Sequence, residues 1–183
     1  DRLLSEIADA SRIDTEMSRA TAEPVDIGAL LTMLVEMQRP TVQAEGLHLT
    51  LDLADGEPII VSGVDDRLVQ VFQNLLSNAQ SFSPQGGEIK IRVARAGGDI
   101  HIDVEDQGPG VAEDLYEAIF DRFHTFRPKD ESFGAHSGLG LSISRQIINA
   151  HGGAIYCRNR QAPDGSVRGA CFTIRLPEGD AGA

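Results

Sequence analysis

Positive charge is what this sequence is short of: 16 Lys and Arg stand against 28 Asp and Glu, a formal net charge of -12. A chain so balanced repels nucleic acid phosphates and anionic membranes, so no nucleic acid partner is expected. An anionic ligand would need positive potential from a metal ion, a helix N-terminus or a few basic side chains. Long apolar runs are missing as well. No window approaches the roughly 20 residues that a bilayer core demands, and no signal peptide is visible, so the chain reads as soluble. Cysteine is scarce. Cys157 and Cys171 are too few and too far apart for a zinc site or a disulfide framework, and they read as reduced thiols in a cytosolic core. Repeats and low-complexity tracts are lacking too. What is left, 183 residues with 41% hydrophobic content, suffices for one ordinary core and a small appendage.

In residues 1 to 20, Leu3, Ile7, Ala10, Ile13 and Met17 recur at steps of three and four among charged residues, which predicts an amphipathic helix in want of a partner. Pro24 disfavours helix at Glu23 and ends that element, and Asp26 reads as the N-cap of a second helix to about Glu45. The boundary falls there, with residues 1–23 as a helix end and linker and residues 24–183 as one domain. Beyond it the runs LHLTLDL and PIIVSG read as strands, followed by a helix from about Asp65 to Phe82. EIKIRVA and DIHIDVE alternate isoleucine and valine around Gly97-Gly98-Asp99, a hairpin signal. GLSISRQIINA reads as a helix stopped by Gly152 and Gly153, with strands AIYCRNR and ACFTIRLP after it. Between Phe123 and Ser137 lies a polar loop without a period, of a length usually functional or disordered. The sum is an α+β fold, a two-layer α/β sandwich with a mixed sheet and helices on one face.

Four clusters need a common explanation. In VEDQGPGVAEDLYEAIF, Asp106 is followed by Gly108 and Gly110 and then by an apparent helix. The glycines let backbone approach a flat ligand while the carboxylate accepts from an exocyclic amine, although DxGxG also suits a tight turn after a strand. On the helix LVQVFQNLLSNAQSFS, Leu68, Val71, Phe72, Leu75, Leu76 and Ala79 form the apolar face. Asn74, Asn78, Ser81 and Phe82 lie along a neighbouring line, where the amides suit Mg²⁺ beside a phosphate and Phe82 a base, or else local hydrogen bonds and core packing. In SGLGLSISRQ, glycines directly before a helix put free N–H groups and the positive end of its dipole at one point, which suits a phosphate or an ordinary loop. It lacks the Lys and Ser/Thr of a P-loop and follows no strand, so neither a Walker nor a Rossmann site fits. The long loop carries Arg127 and Lys129, preceded by Arg122, as a lid or as plain surface charge.

Taken in order, these clusters resemble the catalytic and ATP-binding domain of bacterial sensor histidine kinases, over about Asp26 to Pro177. That family shares the Bergerat fold with Hsp90, gyrase B and MutL. NLLSN resembles its N box, DQGPG its G1 box, IFDRF its F box and SGLGL its G2 box. DRLLSEIADASRID resembles the end of the second dimerisation helix, and FGAHSGLGLSISRQIINAHGG is similar to the ChvG type of envelope sensor kinase from alphaproteobacteria. The resemblance implies ATP and Mg²⁺ as cofactors, with Asn78 holding the metal and Asn74 nearby. It implies Asp106 on the adenine amine, with Phe82, Gly108, Gly110, Phe123, Arg127 and Lys129 around the nucleotide. Ser137, Gly138, Leu139, Gly140 and Leu141 would hold phosphate beneath a lid. Three departures stand out. Ser81 occupies a position often lysine, Thr125 one usually arginine, so that Arg127 substitutes by position only, and Ala135 and His136 stand where further glycines are frequent.

The wider family's ATPases place a glutamate where this chain has Asn74, and a neutral amide is no general base at neutral pH. Kinase rather than ATPase behaviour is therefore expected, the γ-phosphate passing in line to a histidine on a dimerisation helix outside this sequence. His48, His101, His124, His136 and His151 all lack the helical, acidic context of that nucleophile, so no catalytic residue is assigned within this chain. The implied partners are the protein's own dimerisation and histidine-phosphotransfer domain and a response regulator. The whole protein would be a membrane-bound homodimer with this part on the cytoplasmic side of the inner membrane. A nucleotide-binding regulatory module without phosphotransfer is the alternative, and a scaffold fragment a weaker one.

Overall fold

The computed structural model describes residues 13 and 15 and residues 19–53, 58–122 and 138–179. Alternation of side chains builds its centre. Ile89, Ile91 and Val93 of strand β4 (Glu88–Ala96) and Ile100, Ile102 and Val104 of β5 (Asp99–Glu105) point to one side of the hairpin and are buried. Five strands form the main sheet in the order β2-β4-β5-β7-β6, where β2 is His48–Asp52, β6 Ala154–Gln161 and β7 Val167–Pro177. Only β2 and β4 pair in parallel, so the sheet is mixed.

Helices cover the apolar face. Asp26 caps helix α1 (Ile27–Ala44) by accepting the Ala29 N–H at 3.1 Å, which satisfies one of the open donors of the first turn. Helix α2 (Asp65–Phe82) buries Leu68, Val71, Phe72, Leu75, Leu76 and Ala79, the stripe that the sequence spacing predicts. Helix α3 (Gly140–Ala150) buries Ile143, Ser144, Ile147 and Ile148. The other residues of the same strands form a charged ladder, in which Arg92 and Arg160 pair with Glu105, Arg158 with Asp103 and Arg175 with Asp99.

Two departures from the sequence reading concern short elements. Glu23–Asp26 is a strand, β1, paired antiparallel with β3 (Ile60–Gly63) in a separate two-stranded sheet, whereas Pro24 reads in sequence only as a stop. After Gly110 there is no continuous helix. Two 3-10 turns, Glu113–Leu115 and Ala118–Phe120, follow instead, because Asn159 of β6 holds both Val111 and the Tyr116 hydroxyl while Phe120 packs on Phe172 of β7, and a straight helix cannot meet all three contacts. Of the N-terminal stretch, residue 13 is helical and Ile13 is wholly buried in the same apolar cluster as the sheet. Leu3, Ile7, Ala10 and Met17 lie outside the described residues.

Candidate functional site

Asp106 follows β5 directly, and its N–H donates to Ala170 O at 3.0 Å, continuing the ladder to β7. The side chain is 4% exposed. Its Oδ1 accepts the N–H of Gly108 at 2.8 Å and that of Ala170 at 2.9 Å. Oδ2 accepts nothing among the described residues. Burial pushes the Asp106 carboxyl above the ordinary value of 3.8, opposed by the Ala170 and Gly108 N–H groups and by the Arg160 guanidinium. The result is a carboxylate with one oxygen anchored and the other open to an amine donor.

Residues that sequence reasoning passed over hold it there. Arg160 donates to Asp106 O at 2.8 Å and pairs with Glu105 at 3.2 Å. Gly169 has φ +137, and a Cβ on it would fall 2.0 Å from Asp106 O, so backbone can approach Asp106 there only without a side chain. Asn159 donates to Val111 O and accepts from Val111 N, both at 2.8 Å, and ties the turn to β6. The two predicted glycines divide. A Cβ on Gly108 would lie 2.7 Å from Phe82 O, so Gly108 brings the turn against the end of α2. Gly110, at φ +77, instead faces Asn159 and Val167, where its part is to let the loop pass β6 and β7.

On α2 the two asparagines differ. Asn74 Nδ2 donates to Gly140 O at 3.1 Å and to Ser144 Oγ at 3.3 Å, so it joins α2 to α3. Asn78, one turn on and partly buried, makes no hydrogen bond to any described residue. An uncommitted amide oxygen is a hard neutral donor that fits Mg²⁺ already balanced by phosphate. Phe82 keeps 40% of its surface exposed. Ser81 Oγ donates to Ser77 O. Leu139 is buried, Leu141 is partly buried against the core, and Gly138 turns at φ +72, so this segment can offer its backbone rather than side chains. Among the described residues no side chain caps α3, whose positive end suits an anion. Phe123, Arg127, Lys129 and Ser137, with Thr125, Ala135 and His136, lie outside the described residues.

The F box and α3 meet through Arg145. Its guanidinium lies 4.1 Å from the Phe120 ring centroid and bonds Glu117 at 2.9 Å, while Phe120 packs edge-on against Phe172. His151 joins the far ends of two helices: Nδ1 donates to Ile147 O at 2.8 Å and Nε2 accepts Val64 N–H at 3.0 Å, which requires the neutral ring with its proton on Nδ1. Asp103, Glu105 and Cys171 bring ligand atoms within 4.8 Å of one another, but Arg92, Arg158 and Arg160 already neutralise the two carboxylates, so the group does not fit a metal. Both cysteines are buried and free. A cavity of about 330 Å³ between β3, His151 and Pro177 contains none of the predicted nucleotide residues. Among the described residues, no helix is long and apolar enough to cross a membrane.

Residues 63–180 match the family of histidine kinase-, DNA gyrase B-, and HSP90-like ATPases. The sensor protein ChvG of Rhizobium meliloti (strain 1021) is 45% identical over 185 residues, covering 98% of this chain and 32% of that protein. The chain thus spans under a third of the length of this curated relative. Among solved structures, full-length ShkA in complex with AMPPNP has a TM-score of 0.82 at 26% identity, over 100% of this chain and 36% of that one. The mycobacterial sensor histidine kinase MprB has a TM-score of 0.73 at 28% identity, over 86% of this chain and 97% of that one. The chain belongs to the histidine kinase-, DNA gyrase B- and HSP90-like ATPase family, as an ATP-binding catalytic domain of the sensor histidine kinase kind.

Proposed function

We propose that this domain holds Mg-ATP and donates the γ-phosphate to a histidine on a dimerisation helix of the same protein, from which a response regulator takes it. The observation that carries the reading is Asp106, buried at a strand end with Oδ1 anchored by two N–H groups and Oδ2 open. That geometry suits the exocyclic amine of adenine, a donor, and opposes the O6 acceptor of guanine. In this reading Phe82, beside the turn, would cover the base, and the N-terminus of α3 would turn its backbone N–H groups to the phosphates. Asn78 is the residue that would hold Mg²⁺, which when bound supplies charge neutralisation to the phosphates.

Asn74 occupies the position from which a carboxylate would activate water, and it cannot take a proton at neutral pH. Its amide nitrogen is moreover bound to Gly140 O and Ser144 Oγ. The nucleotide is therefore held unhydrolysed until a nucleophile is brought in line. We assign the domain to residues 24–183, preceded by the end of a dimerisation helix, in a membrane-bound homodimer whose cytoplasmic side contains it.

Calorimetric titration with ATP, with Mg²⁺ and again with a chelator, tests the site. Saturable, Mg-sensitive binding with the nucleotide intact is expected. Absence of binding, or steady hydrolysis by the chain alone, refutes the reading. Phosphotransfer to a separately supplied dimerisation domain of the same protein then tests the kinase step.

A further inference from the structure

The two asparagines of the N box lie one turn apart yet stand in different surroundings. Asn78 is uncommitted among the described residues, while Asn74 is bound to the first turn of α3, 66 residues away in sequence. Its Nδ2 reaches Gly140 O at 3.1 Å and Ser144 Oγ at 3.3 Å, and Ser144 Oγ donates to the same Gly140 O at 2.8 Å. Ser144 is wholly buried, so its hydroxyl depends on these partners rather than on water. Asn74 packs directly on Gly140, where an added Cβ would stand 3.5 Å from Asn74 Cγ, an ordinary van der Waals contact. One carbonyl at the start of α3 thus receives two side-chain donors, one from each helix.

The consequence follows from the planarity of the peptide. Gly140 C=O and Leu141 N–H belong to one rigid trans unit and point in opposite directions. Fixing the carbonyl from the helix side aims the Leu141 N–H out of the N-terminal end of α3, toward the place where phosphate is expected. We infer that Asn74 is a positioning residue for the phosphates, acting through the Gly140–Leu141 peptide and touching neither nucleotide nor metal. This rests on the nucleotide reading given above. It also explains the residue type: a carboxylate at 74 would set an acceptor against the Gly140 acceptor, so only the amide can clasp the turn.

The experiment is calorimetric titration with ADP of the unaltered chain, Asn74→Ala and Ser144→Ala, each in Mg²⁺ and in EDTA, with melting curves to establish that all three are folded. Asn74→Ala is expected to weaken ADP about three- to tenfold, the equivalent of a hydrogen bond, and by the same factor with and without metal. Ser144→Ala, which cannot reach a metal from its buried position, is expected to weaken ADP by a smaller factor. In the ligand-free amide spectrum the Gly140 and Leu141 signals should move in both variants, a signature that a general loss of stability would not confine to one turn. Unchanged ADP affinity in Asn74→Ala overturns the inference. So does a loss seen only with Mg²⁺, which would make Asn74 a metal ligand. Failure of the unaltered chain to bind ADP would remove the nucleotide reading itself and this inference with it.

Discussion

Replacing Asp106 by asparagine separates recognition from stability. Oδ1 keeps its place under the N–H groups of Gly108 and Ala170, and Arg160 still bonds the backbone carbonyl, so the turn survives. What changes is the open atom, which becomes a donor facing the adenine amine. A hydrogen bond to a charged acceptor contributes about 1.5–3 kcal/mol, so ATP affinity should fall roughly 12- to 150-fold. Stability should move the other way or stay level. Burial raises the Asp106 carboxyl, so its ionised form costs the folded state something at neutral pH, and a neutral amide removes that cost. Inosine triphosphate supplies the control, since its O6 accepts where adenine donates; Asp106→Asn should narrow or reverse the preference for ATP. The assay is calorimetry with both nucleotides beside a melting curve. Equal ATP affinity in the variant, or a loss matched by a lowered melting temperature, would refute the assignment of Asp106 to the base.

Acidification should weaken nucleotide binding before it unfolds the domain. Because the Asp106 carboxyl lies above its ordinary 3.8, it loses its charge earlier than an exposed aspartate as pH falls, and titrations at successive pH values should show the affinity dropping first. Gly169→Ala should destabilise by about 2–4 kcal/mol in urea melts, since its Cβ would collide with Asp106 O at φ +137, whereas Gly97→Ala, with nothing within 4 Å and only its φ of +65 against it, should cost about 1 kcal/mol. The thiols should resist alkylation in the folded chain and react on unfolding. Burial, with a smaller contribution from the Asp106 charge, pushes Cys157 up to about 12, and burial raises Cys171 as well.

Much of the fold was legible because its signals are local. The alternating isoleucines of β4 and β5 need only a period of two, the apolar stripe of α2 only a period of 3.6, and Asp26 announces α1 by its capping chemistry. β1 was not legible: Pro24 reads as a stop, and the strand exists only by pairing with β3, which lies beyond α1 and β2. The same holds for the site. Asp106 and Asn78 stand out through motifs, but Arg160 acts on Asp106 from 54 residues away and Gly169 from the next strand, with no spacing to betray either. The helix expected after Gly110 failed for the complementary reason, since tertiary anchors at Val111, Tyr116 and Phe120 outweighed the local helical pattern.

β6 ends the main sheet, so its outer side presents backbone groups that no strand of this sheet takes up. Such an edge is a template on which a second copy can add a strand. Arg158 and Arg160 stand on it, and the register slips between Arg160 and Gln161. The Asn159 N–H on that edge is already taken by the Tyr116 hydroxyl at 3.0 Å, so a second copy would meet neither a straight line nor a full row of unused groups. Crowding should therefore favour colloidal solubility over fibril growth, because the contact that ties the glycine turn to β6 also blunts the edge.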